Sequence, residues 1–286
     1  MIVQHISAFT DGPRGGNPAG VVLCETLPDA ATMQAMAAEV GYSETAFVAS
    51  GGRGWRVRYF APEVEVDFCG HATIAVGAAL AKHEGPGTFA LQLNRADITV
   101  DGYQSAEGWG AAFQSPPTNS RDMPAVLVDE ALTLFGLARS ALDDRIPPAI
   151  AHAGADHLVL ALRRRDDLTA MRYDLGKGRD LARREGVATF SLVFAETSQI
   201  FHARNPFPIG GVYEDPATGA AAAGFAGVVM QFDRPADGDH AFVIEQGDAM
   251  GRPSRITLSL HVEAGRLVRA GIGGQAVLVS EGTLRA

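Results

Sequence analysis

Apolar positions along the chain come mostly in short runs that end at glycine, proline, asparagine or aspartate, a pattern typical of β-strands. The predicted strands are residues 2–9, 19–24, 45–49, 55–60, 88–93, 97–100, 157–162, 189–194, 199–203, 242–246, 255–262, 267–272 and 275–279. Many of them are separated by only a few residues. Such close spacing favours hairpins and antiparallel sheets over crossovers through helices.

Five segments carry apolar residues at helical spacing instead. Residues 29–40 are followed by Gly41, an expected C-terminal stop, and residues 129–139 and 166–184 are predicted amphipathic surface helices. Residues 70–82 (GHATIAVGAALAK) and 219–231 (GAAAAGFAGVVMQ) differ, because they are small and apolar on nearly every side. A helix without a polar face is buried. Each half of the chain is therefore expected to wrap a sheet around one helix.

The two apolar helices begin about half a chain apart, and strands precede each of them. This duplication predicts an α+β fold of two similar lobes, residues 1–117 and 118–274, with the active site in the cleft between them. The segment 115–121 (SPPTNSR) contains two prolines and no apolar residue, so it is the expected linker.

Composition narrows the class of protein. The chain has 286 residues, of which 47% are hydrophobic, and this is enough for two domains with buried cores. The formal net charge of -9 disfavours a nucleic-acid partner. Two cysteines are too few for a secreted disulfide scaffold, residues 1–10 are too polar for a signal peptide, and a membrane-spanning apolar run is lacking. The expected location is the cytoplasm, with no membrane partner.

The starts of the two apolar helices are candidate carboxylate sites. The first N–H groups of a helix lack intrahelical acceptors, and Gly70 and Gly219 let a ligand approach that backbone closely. The alternative is that these glycines only permit tight packing of a buried helix. Two such starts facing one cleft favour binding of a small carboxylic acid.

Three polar side chains are candidates for proton transfer or orientation. Glu44 stands between a helix stop and an apolar strand, where a carboxylate suits general acid/base work, although its position alone favours a solvated loop glutamate. His71 follows Gly70 and is either a proton-moving or a capping residue. Asp215 is an expected N-cap, or else a partner of His71 or of a substrate amino group.

Cys69 raises a different mechanism, in which two facing thiols serve as base and acid. The corresponding position of the second half is Asp215, and Cys24 lies in a predicted strand, so this mechanism is disfavoured. The glycines at 271, 273 and 274 precede a strand rather than a helix, which argues against a dinucleotide site. The histidines lack zinc-type spacing, and no metal site is predicted.

Five stretches of the chain resemble the PhzF family, the isomerases of phenazine biosynthesis. They are AFTDGPRGGNPAGVVL (8–23), GYSETAFV (41–48), RYFAPEVEVDFCGHATIAVGAAL (58–80), YEDPATGAAAAGF (213–225) and GGQAVLVSEGTL (273–284). The resemblance covers the whole length, and CGHAT and EDPATG are specific to it. It implies the diaminopimelate epimerase fold, in which each lobe is a mainly antiparallel barrel-like sheet around a central helix. Residues 275–286 would complete the first lobe.

The resemblance also assigns roles to residues. Glu44 matches the catalytic acid/base, His71 and Asp215 match residues around the substrate, and Gly70 and Gly219 match donors to the substrate carboxylate. Cys69, Thr218 and Ala220 belong to the same motifs and are further expected substrate-binding residues, with Thr218 a candidate to hold the carboxylate. The resemblance implies isomerisation without a cofactor, and a homodimer. Two positions depart from the family pattern: Ala220 stands where serine is common, and Ser7 where aspartate is common.

Three hypotheses therefore follow from the sequence. The first is a cofactor-independent isomerase of a small carboxylic acid that uses Glu44. The second is a cofactor-free epimerase or racemase of an amino or hydroxy acid, which would need Cys69 as a second base. The third is a carboxylate-binding descendant that has lost the chemistry.

Overall fold

The computed structural model describes residues 1–13 and 15–284, and Arg14, Arg285 and Ala286 lie outside this description. The chain divides into two units. The first contains Met1–Gln114 and Gly273–Ala286, and the second contains Ser115–Ile272. Within the described residues, no helix has the length and apolar character needed to cross a bilayer.

The described part of the first unit contains a closed ring of eight strands and one short additional strand. Its strands are β1 (Ile2–Ala8), β2 (Asn17–Cys24), β3 (Thr45–Gly51), β4 (Gly54–Phe60), β5 (Glu65–Val66), β6 (Gly87–Gln92), β7 (Asp97–Ser105), β8 (Gly108–Gln114) and the part of β17 (Arg266–Thr283) from Gly273 onward. The ring runs β1-β2-β3-β4-β6-β7-β8-β17 and returns to β1, while the short β5 pairs only with β4. Two of these pairings, β2–β3 and β4–β6, are parallel.

Helix α2 (Gly70–Glu84) fills the ring, and its residues from His71 to Ala81 are all buried. The helix fits because its residues are small. A Cβ atom on Gly77 would lie 2.6 Å from both the Ala111 and the Val100 side chains, so only glycine is accommodated there. Helix α1 (Ala30–Val40) packs on the same unit with Met33 and Met36 buried, and it ends at Gly41 in the left-handed conformation.

The second unit repeats the plan of a sheet around one apolar helix. Its strands are β9 (Asn119–Asp122), β10 (Ala149–His152), β11 (Asp156–Leu162), β12 (Thr189–Ala195), β13 (Ile200–Phe207), β14 (Val212–Asp215), β15 (Gly238–Gln246), β16 (Ser254–Glu263) and the beginning of β17. Helix α6 (Gly219–Phe232) is buried against β9, β10, β11 and β16. A Cβ atom on Gly227 would lie 2.5 Å from the Asn119 backbone.

A second apolar layer covers the other face of β11 and β12. It is formed by α3 (Ala125–Phe135), α4 (Arg165–Thr169) and α5 (Leu175–Glu185). The predicted fold, an α+β chain with barrel-like sheets around central helices, is confirmed. The structure also contains the three-residue 3₁₀ segments Arg139–Ala141, Pro208–Gly210 and Asp248–Met250.

Several predicted boundaries were wrong. The helix predicted over 166–184 is two helices, α4 and α5, because the chain turns inward at the buried Met171 and Tyr173 and Asp174 then caps a new helix. The helix predicted over 129–139 begins at Ala125 and stops at Gly136 in the left-handed conformation. The strands predicted at 267–272 and 275–279 form one strand, β17.

Some strands escaped prediction altogether: β5, β8, β9, β10 and β14. The predicted linker 115–121 is also more ordered than its composition suggests. Asn119–Asp122 pairs with β10, and the backbone N–H of Ser115 donates to the Ala270 carbonyl. Hydrogen bonding to neighbouring strands, which the local sequence does not reveal, makes this segment part of a sheet.

Candidate active site

The first unit brings Glu44, Cys69 and His71 together at the start of α2. Glu44 directly precedes β3, and its backbone carbonyl accepts a hydrogen bond from Gly20 N–H in the neighbouring strand. Cys69 is the N-cap residue of α2, and His71 is the second residue of the helix. A strand entry and a helix entry therefore position the three side chains.

The imidazole of His71 lies between the other two groups. Its Nε2 is 3.3 Å from Glu44 Oε2, and its Nδ1 is 3.4 Å from Cys69 Sγ. Ser43 Oγ lies 3.4 Å from the same Nε2. The possible ligand atoms of Glu44, Cys69 and His71 are all within 4.8 Å of one another, so this group could also hold a metal ion.

Glu44 Oε2 is unusual in its surroundings. The side chain as a whole is 20% exposed, but this oxygen is buried and makes no hydrogen bond within the described chain. Its nearest polar contact described above is with His71 Nε2, at 3.3 Å. Buried polar atoms are normally hydrogen-bonded, and a catalytic role is one explanation for an exception. The atom is therefore a candidate to receive a proton.

A buried hydrogen-bond chain fixes the first turn of α2. The Tyr59 hydroxyl lies 2.8 Å from Thr73 Oγ1, and Thr73 Oγ1 donates to the Cys69 carbonyl at 2.7 Å. Burial raises the pKa of Tyr59 above its ordinary value, so the phenol stays neutral. Sequence reasoning missed Tyr59 and Ser43, because neither motif spacing nor residue type ties them to the helix start.

The N-terminus of α2 can accept an anion. By helical geometry, the N–H groups of Gly70, His71 and Ala72 lack intrahelical acceptors. The side chain of Cys69, as described, makes no capping hydrogen bond to them. A carboxylate bound there would be stabilised by the positive end of the helix dipole, close to Glu44.

The second unit gathers Asp215, Thr218, Gly219 and Ala220 at the start of α6. Thr218 is the N-cap residue, so the expected N-cap role of Asp215 was wrong. Asp215 instead ends β14, where its carboxylate accepts a hydrogen bond from Thr218 Oγ1 at 2.5 Å. Gly219 is buried and Ala220 is half-buried beside it.

Thr218 is held from three directions. Its hydroxyl donates to Asp215 and accepts from Asn205 Nδ2 at 2.7 Å and from Gln246 Nε2 at 3.1 Å. One donated and two accepted hydrogen bonds satisfy the whole capacity of a hydroxyl. The same Gln246 amide nitrogen donates to the Asp215 carbonyl at 2.7 Å, which fixes the strand end against the helix start.

The network continues inward to His157. Thr189 Oγ1 donates to Asn205 Oδ1 at 3.3 Å and lies 2.7 Å from His157 Nδ1. His157 and Thr189 face each other across the parallel pair β11–β12. Burial lowers the pKa of His157 to about 4, so its imidazole is neutral at physiological pH. Sequence reasoning missed His157, Thr189, Asn205 and Gln246, which come from separate strands.

Three further residues have structural roles. Glu214 forms a buried ion pair with Arg204, which also donates to the carbonyls of Thr169 and Met171. Cys24, the second cysteine, lies in β2 with its Sγ 3.7 Å from the Val22 carbonyl, apart from the Glu44–Cys69–His71 group. Ser7 is buried and donates to the Gly15 carbonyl at 2.5 Å.

Comparison with known proteins gives a consistent result. Residues 6–282 match the PhzC-PhzF family, described as phenazine biosynthesis-like proteins. An uncharacterized isomerase of Mesorhizobium japonicum is 37% identical over 96% of each chain. The fold matches a Bacillus anthracis phenazine biosynthesis protein of the PhzF family with a TM-score of 0.89 at 24% identity, over 100% of this chain and 99% of that one.

More distant folds belong to racemases. A probable proline racemase from Agrobacterium radiobacter K84, with bound carbonate, superposes with a TM-score of 0.67 at 9% identity, covering 99% of this chain and 92% of that one. At so low an identity, the similarity concerns the fold alone. The match along nearly the whole sequence is decisive: this chain belongs to the PhzC-PhzF family of phenazine biosynthesis-like proteins.

Proposed function

We propose that this protein isomerises a small carboxylic acid without a cofactor, and that Glu44 is its acid/base. The observation that carries the proposal is the buried Glu44 Oε2, which lacks a hydrogen bond in the described chain and lies 3.3 Å from His71 Nε2. A carboxylate oxygen that no hydrogen bond occupies is available to accept a proton from a substrate, which is the task of a positioned general base. The family relationship and the isomerase names of its relatives support this chemistry.

The proposed reaction conserves atoms and charge. Glu44 takes a proton from a carbon beside an unsaturated or carbonyl-like system, and the electron pair of the C–H bond moves into that system. The resulting carboxylic acid then returns a proton to a different carbon, so a double bond has moved. His71 keeps the carboxyl oriented through its Nε2 contact and does not need to change charge.

Binding of the substrate carboxylate is assigned to the start of α2. Gly70 leaves space for the anion, and the N–H groups of the first turn donate to it. In the second unit, we propose that Asp215, Thr218, Gly219 and Ala220 form a second candidate ligand site at the start of α6. The hydrogen bonds that Thr218 makes with Asn205, Gln246 and Asp215 support this role, because they hold the first turn of α6 and the Asp215 carboxylate in fixed positions before a ligand binds.

An epimerase is the second candidate, and one contact favours it. Cys69 Sγ lies 3.4 Å from His71 Nδ1, so the imidazole could assist deprotonation of the thiol. In that mechanism Cys69 and Glu44 would act on the same carbon. A racemised product from an optically pure acid, lost in Cys69→Ser, would identify this mechanism.

A proton-exchange screen in D₂O tests the proposal. The wild-type protein is incubated with a panel of small amino, hydroxy and dienoic acids, and the products are followed by NMR. Deuterium incorporation together with migration of a double bond is the expected result. Saturable binding of an acid without any exchange would overturn the isomerase assignment and identify a carboxylate-binding protein.

A further inference from the structure

Glu44, Cys69 and His71 offer three different ligand types at one point. A thiolate, an imidazole and a carboxylate are together the donor set that zinc prefers. The sequence gives no hint of this, because Glu44 lies far from the Cys69–His71 pair along the chain and belongs to a different element. Folding brings Glu44 next to Cys69 and His71.

The spacing of the three groups is close to that around a tetrahedral ion. Around zinc, an imidazole nitrogen and a carboxylate oxygen are separated by about 3.4 Å, and a thiolate sulfur lies about 3.6 Å from either, given ordinary bond lengths. Glu44 Oε2 lies 3.3 Å from His71 Nε2, whereas Cys69 Sγ lies 3.9 Å from this nitrogen and 3.4 Å from Nδ1. The sulfur and the carboxylate oxygen are within 4.8 Å of each other, so coordination requires the Cys69 side chain to rotate toward Nε2 and Glu44.

The surroundings also favour a cation. Cys69 and His71 are each 8% exposed, so few waters compete for the ligand atoms. Glu44 Oε2 is buried without a hydrogen bond in the described chain, which leaves this oxygen available to coordinate. The partial exposure of the Glu44 side chain provides access from solvent. Three protein ligands leave a fourth position for water or for an anion.

We propose that Glu44, Cys69 and His71 form a zinc-binding site, and that bound Zn²⁺ blocks the enzyme reversibly. Coordination occupies the carboxylate that would accept the substrate proton and the imidazole that orients it. The blocking rests on the function proposed above, whereas zinc binding by these three residues does not. The protein would therefore be active without bound metal and inactive with bound zinc.

Metal binding is measured directly, without a substrate. The full-length protein is dialysed against a chelator, then titrated with ZnCl₂ by equilibrium dialysis and, in parallel, with CoCl₂ by absorption spectroscopy. The expected result is one zinc per chain and a cobalt spectrum that contains a thiolate-to-cobalt charge-transfer band.

Variants locate the ion. Cys69→Ser should abolish the charge-transfer band, and Glu44→Gln should keep it. Each should weaken zinc binding at least as much as the roughly 10- to 100-fold lost when only an outer-shell partner of a metal is removed. Cys24→Ser is the matched control, because it removes the other thiol of the chain, and it should bind zinc and cobalt as the wild type does. Circular dichroism verifies that each variant is folded.

Three results would overturn the proposal. Stoichiometric zinc binding that survives Cys69→Ser would place the ion elsewhere. Loss of the charge-transfer band in Cys24→Ser would show that Cys24, and not Cys69, provides the sulfur ligand. Absence of a cobalt–thiolate band in the wild type would remove the site altogether. With a substrate from the D₂O screen, unaltered proton exchange by the zinc-loaded protein would contradict the blocking while leaving the binding site intact.

Discussion

A carboxylate oxygen held away from water without a hydrogen bond is costly to maintain. Glu44 Oε2 is such an atom within the described chain, and its nearest compensation is the ion-pair contact with His71. Desolvation without a compensating hydrogen bond costs on the order of 1–3 kcal/mol, more for a charged group. A glutamate without a chemical role would avoid this cost by rotating its carboxylate into solvent. A chemical role for Glu44 therefore explains the buried oxygen better than a structural one.

At the residue scale, His157 makes stability depend on pH. Burial lowers its pKa to about 4, against an ordinary value of 6.5. Between these values the unfolded chain holds a proton that the folded chain does not, so the protein loses stability as the pH falls. From pH 7 to pH 5 this contribution is roughly 2 kcal/mol. Urea unfolding at both pH values should show that His157→Leu loses this part of the pH dependence.

His261 is the control, because its shift has the opposite sign. Glu263 and Asp239 hydrogen-bond to its ring and raise its pKa. The stabilisation they provide is present at low pH and is lost as the pH rises through the folded-state pKa. His261→Gln should therefore weaken the protein more at pH 5 than at pH 7. An unchanged pH dependence in His157→Leu would show that the imidazole is not buried as described.

The site could be predicted from the sequence only where residues share a motif. Cys69, Gly70 and His71 are adjacent in the chain, so their common location follows directly. Glu44 was assigned by resemblance, because its position alone fits a loop glutamate. The chain from His157 through Thr189 and Asn205 to Thr218 joins three strands and a helix start. This hydrogen-bonded chain forms because strand pairing brings the residues together, and the local sequence around each residue does not predict it.

At the element scale, the two central helices depend on glycines that bring backbones close together. In α6, a Cβ atom on Gly227 would lie 2.5 Å from the Asn119 carbonyl carbon, whereas one on Gly224 would lie 3.2 Å from the Ala151 side chain. The first contact is with the backbone of a paired strand, which cannot shift freely. The second contact is longer, with backbone atoms no closer than 3.4 Å, so a shift of a few tenths of an ångström relieves it.

This difference predicts opposite behaviour for two similar substitutions. Gly227→Ala should destabilise the protein by roughly 1–3 kcal/mol, the ordinary cost of overpacking a core. Gly224→Ala should be close to neutral, since the gain in helix propensity, about 1 kcal/mol, offsets a mild contact. Thermal and urea unfolding measure both. Equal effects of the two substitutions would contradict the packing described for α6.

Helices and strands were predicted well where a local sequence pattern specifies them, and poorly where a segment becomes a strand only by pairing with another strand. The apolar helices α2 and α6 were predicted almost to their ends, because glycine begins both and every side is apolar. Strand β9 was predicted as linker because its residues, NSRD, are polar. It becomes a strand only through its pairing with β10. The double glycine within β17 similarly suggested a break that the pairing with β1 and β8 overrides.

At the scale of the whole molecule, the end of the chain completes the first unit. From Gly273 onward, β17 pairs with both β1 and β8 and so closes the ring around α2. The two ends of the described chain also meet: the Met1 amino group donates to the Leu284 carbonyl at 2.8 Å, and Leu284 N–H donates to the Met1 carbonyl at 2.8 Å. The first unit is thus built from both ends of the sequence.

Removal of residues 273–286 should therefore open the ring. The expected result is loss of cooperative unfolding of the first unit, because β1 and β8 lose their partner and α2 becomes exposed. A rescue variant carries residues 273–284 ahead of Met1 through a short glycine-serine linker, which the proximity of Leu284 and Met1 permits. Cooperative unfolding should return in it. A stable, cooperative first unit in the truncated chain would refute the closed ring.

Glu44 is the residue on which the proposed reaction depends most, and one comparison of variants tests its role. Using an acid identified by the D₂O screen, the rate of solvent deuterium incorporation is measured for the wild type, Glu44→Gln and Glu39→Gln, the last being an exposed glutamate on α1. If Glu44 is the acid/base, the rate should fall roughly 10²- to 10⁴-fold in Glu44→Gln, the usual effect of losing a general base, and should not change in Glu39→Gln. A folded Glu44→Gln variant that exchanges deuterium at the wild-type rate would contradict the catalytic role of Glu44.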